Sequence, residues 1–171
     1  MLFLTFVQNL KVAEEIFIVQ GTKEEKYLSL ISQIKALYDP SVNATANLAN
    51  VSSVLKMTFD FFWVGFYLVE QNDLILGPFQ GPLACTRIPK GKGVCGTSWA
   101  QNKTLLVPDV EAFPGHIACS SASKSEIVVP IRTTEGNIIG VLDVDSDQLN
   151  DFDSTDETYL NELCTWLGSV L

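Results

Sequence analysis

A chain of 171 residues has room for one domain, and its 47% hydrophobic and 18% charged residues describe a well-cored globular protein, which excludes wholesale disorder. Eleven basic against twenty acidic residues leave a net charge of −9. A surface that acidic argues against nucleic acid and anionic membranes as partners, since both require Lys and Arg to neutralise phosphates, and no basic cluster occurs.

The first residues, MLFLTFVQNLKVAEEIFIVQG, are apolar enough to be tested as a signal peptide. They lack a basic start, and Lys11, Glu14 and Glu15 interrupt the apolar run before any small-residue cleavage site. We read 1–21 as an extension, helix or strand, that packs on the domain or on a partner chain. No stretch reaches the ~20 apolar residues of a membrane span. The expected location is therefore the cytoplasm, where cysteines stay reduced unless they cycle.

From Thr22 to Tyr38 the apolar residues Tyr27, Leu28, Leu30, Ile31, Ile34 and Leu37 recur at helical spacing. Asp39-Pro40 ends this helix, and Ser41 is expected to cap a second one that runs to about Thr58. Phe61 to Val69, aromatic and β-branched, predicts a buried strand; Gln71-Asn72-Asp73 turns it back into a hairpin with Leu74-Ile75-Leu76. Gly77 to Gly96 reads as a long Gly/Pro-rich loop, and a loop of that length in a compact domain is usually functional. A short helix is expected from Gly96 to Asn102, a strand over Thr104–Val107, and a second irregular segment over Pro108–Lys124. Strands Glu126–Arg132 and Ile138–Asp145, joined by the turn Glu135-Gly136-Asn137, precede a C-terminal amphipathic helix from Ser154, with Leu160, Leu163, Trp166, Leu167 and Val170 on its apolar side. The order predicts an α+β domain, an antiparallel sheet with helices beside it.

Four cysteines in an intracellular chain of this size are not a disulfide scaffold, and no CxxC pair occurs. Cys164 falls in the apolar pattern of the last helix and reads as core. Cys85, Cys95 and Cys119 fall in the predicted loops, where thiol–disulfide exchange has access to them. His116, the one histidine, stands three residues before Cys119; it can tune that thiol, hydrogen-bond structurally, or join the three cysteines in a Cys₃His zinc set, although the spacings match no common zinc module. A Cys-His hydrolase would need a third group to orient the base, and the sequence places none.

Along the strand Ile138–Asp145, residues Ile139, Val141, Asp143 and Asp145 share one face, so an apolar face turns acidic at its end; Glu126 starts the neighbouring strand and can join the pair. Clustered carboxylates repel, and burial can hold one protonated near neutral pH, which makes a cation trap or a general acid. On the aromatic strand Trp63, Gly65 and Tyr67 share a face, and two aromatics flanking a glycine leave room for a ligand. Aromatic walls, an acidic patch and loop thiols suit a small zwitterion carrying a group that a thiol attacks.

The strings LILGPFQGPLAC (74–85), GKGVCGT (91–97), VPDVEAFPGHIAC (107–119), SKSEIVVP (123–130) and GVLDVDS (140–146), with NLANVSSVL (47–55) and WVGFYL (63–68), stand in the order seen in free methionine-(R)-sulfoxide reductases, which are single-domain GAF proteins. The resemblance covers roughly Glu24 to the C-terminus. It implies a GAF domain over 22–171 that reduces free L-methionine (R)-S-oxide to L-methionine, with thioredoxin as reductant and no metal or organic cofactor. By position, Cys119 resembles the catalytic nucleophile, Cys85 the principal resolving cysteine and Cys95 a further resolving or recycling thiol. Trp63, Tyr67, Glu126, Asp143 and Asp145 match the family's substrate pocket, with Glu126 or Asp145 the expected proton donor to the sulfoxide oxygen. A pocket that grips both ammonium and carboxylate would exclude methionine within a peptide. The preference for one sulfur epimer rests on the resemblance alone.

Two departures from the family pattern stand out. Ser120 follows Cys119 where the family usually has Asp, which removes a negative charge beside the thiol. Phe61-Phe62 replaces a more polar segment before the tryptophan and is expected to change packing only. Carboxylates around Cys119 should raise its pKa, an effect that the substrate ammonium or His116 would offset. The competing readings are a GAF sensor that uses the same pocket for a signalling ligand, and a zinc-stabilised structural domain. The apolar N-terminus adds the expectation of a homodimer.

Overall fold

The computed structural model describes residues 16–117 and 119–171. The expected packing of the N-terminal extension rests mostly on residues 1–15 and lies outside the described residues. Among the described residues, helices α1 (Lys23–Leu37), α2 (Ala44–Phe59), α3 (Gly93–Gln101) and α4 (Ser154–Val170) accompany strands β1 (Trp63–Glu70), β2 (Asp73–Gln80), β3 (Arg87–Pro89), β4 (Leu105–Val107), β5 (Ser125–Arg132) and β6 (Ile138–Ser146). The strands form one antiparallel sheet in the order β3-β2-β1-β6-β5-β4. The α+β expectation holds.

Local chemistry sets the helix starts. Thr22 and Glu25 form a capping box at α1, and Asp153 and Asp156 form one at α4, each satisfying two N–H groups that the first turn leaves free. Lys23 ties the two helices together through Asp153 (2.9 Å) and Asp156 (2.6 Å), while the buried Tyr27 hydroxyl donates to Asp156 at 2.8 Å. The cap of α2 is Asn43, whose side chain accepts from Ala46 N–H, and not Ser41; Ser41 is instead held in a turn by the Asp39 carboxylate.

Helices α1, α2 and α4 cover one face of the sheet. Tyr27, Leu30, Ile31 and Ile34, then Leu48, Val51, Val54 and Leu55, then Leu160, Leu163, Cys164 and Leu167 pack on Val64, Phe66, Ile127, Val129, Ile131, Leu142 and Val144. Because strand side chains alternate, the intervening residues face the other way. There Trp63, Tyr67, Val128 and Val141 meet Val94, Cys95 and Trp99 of α3 under the irregular segments. Cys164 is core, as expected. No helix among the described residues is long and apolar enough to cross a membrane.

Several boundaries differ from the sequence reading, and each has a cause. The segment 77–96 is not one loop. Strand β2 continues to Gln80 along β1, and Arg87–Pro89 returns as a short strand on the outer edge of β2. Helix α3 begins at Gly93 rather than Gly96, so Cys95 is helical and buried, not a loop thiol. A register shift between Ile131 and Arg132 sends Ile139 to the helix-covered face, away from Val141 and Asp143. The space above Gly65 is filled: a Cβ there would lie 2.4 Å from Phe79 and 2.6 Å from the Trp63 ring, so the glycine serves ring packing and not ligand entry.

Candidate active site

The face beneath α3 carries the chemistry. Register places Trp63, Asp145 and Glu126 in one row across β1, β6 and β5, with Gly65, Asp143 and Val128 in the next. Three acidic side chains thus meet at the ends of the adjacent strands β5 and β6, beside Trp63 of β1, as the alternation along β6 predicts. Glu126 and Asp143 are buried, at 5% and 6% exposure. Cys95 Sγ approaches Glu126 Oε1 at 3.8 Å from α3. Cys95, Glu126, Asp143 and Asp145 border an open pocket whose walls also include Phe62, Trp63, Tyr67, Cys119 and Ser123.

Burial dominates the proton chemistry here. Desolvation, followed by repulsion from the neighbouring carboxylates, holds Glu126 and Asp143 well above the ordinary carboxylate range. Burial and mutual repulsion thus favour the protonated form of this pair. Asp145 is raised less, to about 6, because the Ser123 hydroxyl donates to its Oδ1 and favours the ionised form. Burial likewise pushes the Cys95 thiol and the Tyr67 phenol up, with Asp143 the next cause for each, so both stay neutral. Asp143 Oδ1 is buried with no hydrogen-bond partner, and such an oxygen invites either a proton or a bound cation.

Two aromatic side chains fix the wall opposite. Trp63 Nε1–H donates to the Pro82 carbonyl at 3.1 Å, and the Tyr67 hydroxyl to the Cys85 carbonyl at 2.9 Å. The two rings lie 6.0 Å apart, and Phe79 stacks behind Trp63 at 5.4 Å. Cys85 is joined to Cys119 by a disulfide with Cα atoms 5.2 Å apart. The two segments that sequence leaves far apart, 77–85 and 108–124, are thereby stapled over the acidic end of the sheet.

His116 also borders the pocket; burial lowers its pKa against the opposing pull of Glu111, so it is neutral at pH 7 and contributes no positive charge near Cys119. The disulfide takes Cys85 and Cys119 out of any Cys₃His set. Among the described residues, the groups close enough to meet a single cation are instead Cys95, Glu126 and Asp143, whose ligand atoms all lie within 4.8 Å of one another. Phe62 lines the pocket, so the departure at 61–62 reaches beyond packing; Phe61 turns to the helix-covered core. Ser123 is the site residue that sequence reading missed. Nothing in its spacing marks it, because its contact with Asp145 depends on how the 108–124 segment folds back over β6.

Thiols that have formed a disulfide, beside buried carboxyls whose protonated form is favoured and under aromatic walls, define a pocket for redox chemistry on a small polar ligand. Residues 48–171 match the family model described as GAF domain, so the fold and pocket are those of a GAF protein. The chain is 63% identical over 159 residues to GAF domain-containing protein A of Dictyostelium discoideum, an alignment that covers 92% of this chain and 100% of that one. With the free methionine-R-sulfoxide reductase of Escherichia coli it is 47% identical over 150 residues, covering 87% of this chain and 90% of the relative. The X-ray structure of free methionine-R-sulfoxide reductase from Neisseria meningitidis in complex with its substrate matches with a TM-score of 0.86 and 50% identity, covering 90% of this chain and 93% of that one. This chain belongs to the free methionine-R-sulfoxide reductase family.

Proposed function

We propose that the protein reduces free L-methionine (R)-S-oxide to L-methionine by cysteine chemistry, with residues 22–171 as the working domain. The observation that carries this reading is the Cys85–Cys119 disulfide standing over a buried carboxyl pair in one pocket. A sulfoxide is a poor electrophile until its oxygen accepts a proton, and Glu126, whose carboxyl is favoured in the protonated form by burial, supplies one; Asp145, the other expected donor, is raised only to about 6 and is left to bind charge. Cys119 attacks the substrate sulfur and forms an S–S bond as the S–O bond breaks, the oxygen taking a second proton and departing as water. Water then attacks Cys119 Sγ, methionine leaves with the electron pair of the S–S bond, and Cys119 is left as sulfenic acid with release of one proton. Cys85 then attacks that sulfur, water departs, and the disulfide forms. A dithiol reductant, thioredoxin in this reading, returns two electrons and two protons.

Binding follows the charges. Asp145, ionised above about pH 6, faces the substrate ammonium together with the unpartnered oxygen of Asp143. Trp63 and Tyr67 enclose the S-methyl group. Among the described residues no Lys or Arg lines the pocket, so the substrate carboxylate takes backbone N–H donors of the Cys119 segment. A methionine sulfoxide within a peptide has no free ammonium to neutralise the buried acids and is rejected. Cys95, a neutral buried thiol beside Glu126, serves as the further recycling thiol and exchanges only when local opening exposes it. The reading includes a cytoplasmic location and a homodimer.

Dithiothreitol-driven turnover of separate R and S epimers of free methionine sulfoxide, beside N-acetylmethionine sulfoxide, tests it. Turnover of the free R epimer alone, abolished by Cys119→Ser, is expected. Equal turnover of the N-acetylated compound would overturn the ammonium-binding role of the acidic cluster, and no turnover of any compound would overturn the activity.

A further inference from the structure

We infer that Leu83 and Ile117 form the surface on which a protein dithiol of the thioredoxin type docks to reduce the Cys85–Cys119 disulfide. The inference rests on the reading that this disulfide closes each turnover. Leu83, at 88%, is the most exposed large hydrophobic side chain among the described residues, and Ile117 is 37% exposed. Each stands two residues before a cysteine of the disulfide, so each lies within ~7 Å of chain from a crosslinked Cα. The other exposed large hydrophobics, such as Phe17, Leu28, Met57 and Leu149, lie far from either cysteine in sequence.

The exposure of Leu83 is built in. The backbone on both sides of it is tied down from the sheet, at the Pro82 carbonyl by Trp63 and at the Cys85 carbonyl by Tyr67. A segment pinned at 82 and 85 leaves Leu83, like Ile117, on the rim of the pocket, with the apolar surface of Leu83 in water until a partner covers it. A small charged thiol gains little from that surface. A protein whose own dithiol sits in an apolar face gains from covering both side chains, and a patch this small suits a transient redox encounter. The partner's first thiolate attacks one sulfur of the disulfide, giving a mixed disulfide and a released Cys thiolate that takes a proton. The partner's second thiol then displaces the remaining cysteine as a thiol, and the partner leaves as its own disulfide; two electrons and two protons have passed to this chain.

The test compares reduction of the oxidised protein by purified thioredoxin, kept reduced by its NADPH-dependent reductase, with reduction by dithiothreitol. No sulfoxide is present, and the freed thiols are counted by alkylation and mass. In Leu83→Ser and Leu83→Asp the thioredoxin concentration for half-maximal rate should rise about tenfold, more in the double variant with Ile117→Ser, as for loss of an interface anchor. The dithiothreitol rate should stay within about twofold of wild type. An unchanged thioredoxin dependence in all three variants overturns the docking surface, and so does an equal loss with both reductants. Failure of the parent protein to turn over free R-sulfoxide with dithiothreitol would instead overturn the proposed activity, and the sulfoxide-free reduction rates would still decide the docking surface.

Discussion

Replacing Asp145 by Asn should stabilise the protein at pH 8 while it removes activity. Asp145 is buried beside Asp143 and Glu126, and its pKa rises from 3.8 to about 6 on folding. A carboxyl whose folded pKa is raised binds its proton more tightly in the native state. Its burial is therefore free of penalty below the unfolded value, and the penalty grows as pH climbs through the interval to the folded value. For 3.8 and 6 the penalty is small at pH 4 and about 3 kcal/mol at pH 8, taking 1.36 kcal/mol per pKa unit. Asn keeps the shape and an acceptor for the Ser123 hydroxyl without the charge. At about 2–4 °C per kcal/mol for a domain of this size, the variant should melt about 6–12 °C above wild type at pH 8. At pH 4 the two should be nearly equal. Thermal melts of both proteins at the two pH values, with kcat/KM for the free sulfoxide measured on the same samples, check it. A Tm difference that does not change with pH, or a variant less stable at pH 8, would refute the account of a buried ionised carboxylate at this position.

Ser123→Ala removes the hydroxyl that favours ionised Asp145, so the acid limb of the pH dependence of kcat/KM should move above pH 6, and Ser123→Thr should restore it. The groups facing Asp145 across the pocket, Glu126, Asp143, Cys95, Tyr67 and His116, are unchanged by this substitution. Gly168→Ala places a Cβ 1.8 Å from the Arg132 carbonyl oxygen, where α4 crosses β5, and should cost about 3 kcal/mol or more of unfolding free energy by denaturant titration. Tyr27→Phe deletes the buried hydrogen bond to Asp156 between α1 and α4; it should cost about 1–3 kcal/mol in the same titration and leave kcat unaffected, because the residue lies on the far side of the sheet from the pocket.

What the sequence made legible is what period and capping encode. The alternation along β6 puts Asp143 and Asp145 on the face opposite Leu142 and Val144, and the paired strand β5 adds Glu126 to them. The 3.6-residue pattern of α4 and its acidic start are equally plain. Less visible was α3. The run GKGVCGT has three glycines and no side-chain cap, which local propensity reads as loop, yet packing of Val94, Cys95 and Trp99 on the sheet makes it helical. Edge strand β3 is too short to carry a period. The fold of Ile139 toward the helices follows from a register shift that no local pattern announces. Ser123 is a site residue only through tertiary contact, so it was out of reach. The pairing of Cys85 with Cys119, 34 residues apart, came from the resemblance and not from spacing.

The central claim is that Cys119 and Cys85 together deliver two electrons to one free sulfoxide. The most direct measurement is a single turnover: fully reduced protein is mixed with excess free methionine (R)-sulfoxide and no reductant, methionine is quantified, and the remaining thiols are mapped by alkylation. The account predicts about one methionine per chain, with Cys85 and Cys119 lost to alkylation as a disulfide in wild type and no methionine from Cys119→Ser. Methionine formed by Cys119→Ser, or wild-type turnover that leaves the Cys85 and Cys119 thiols free, would contradict it.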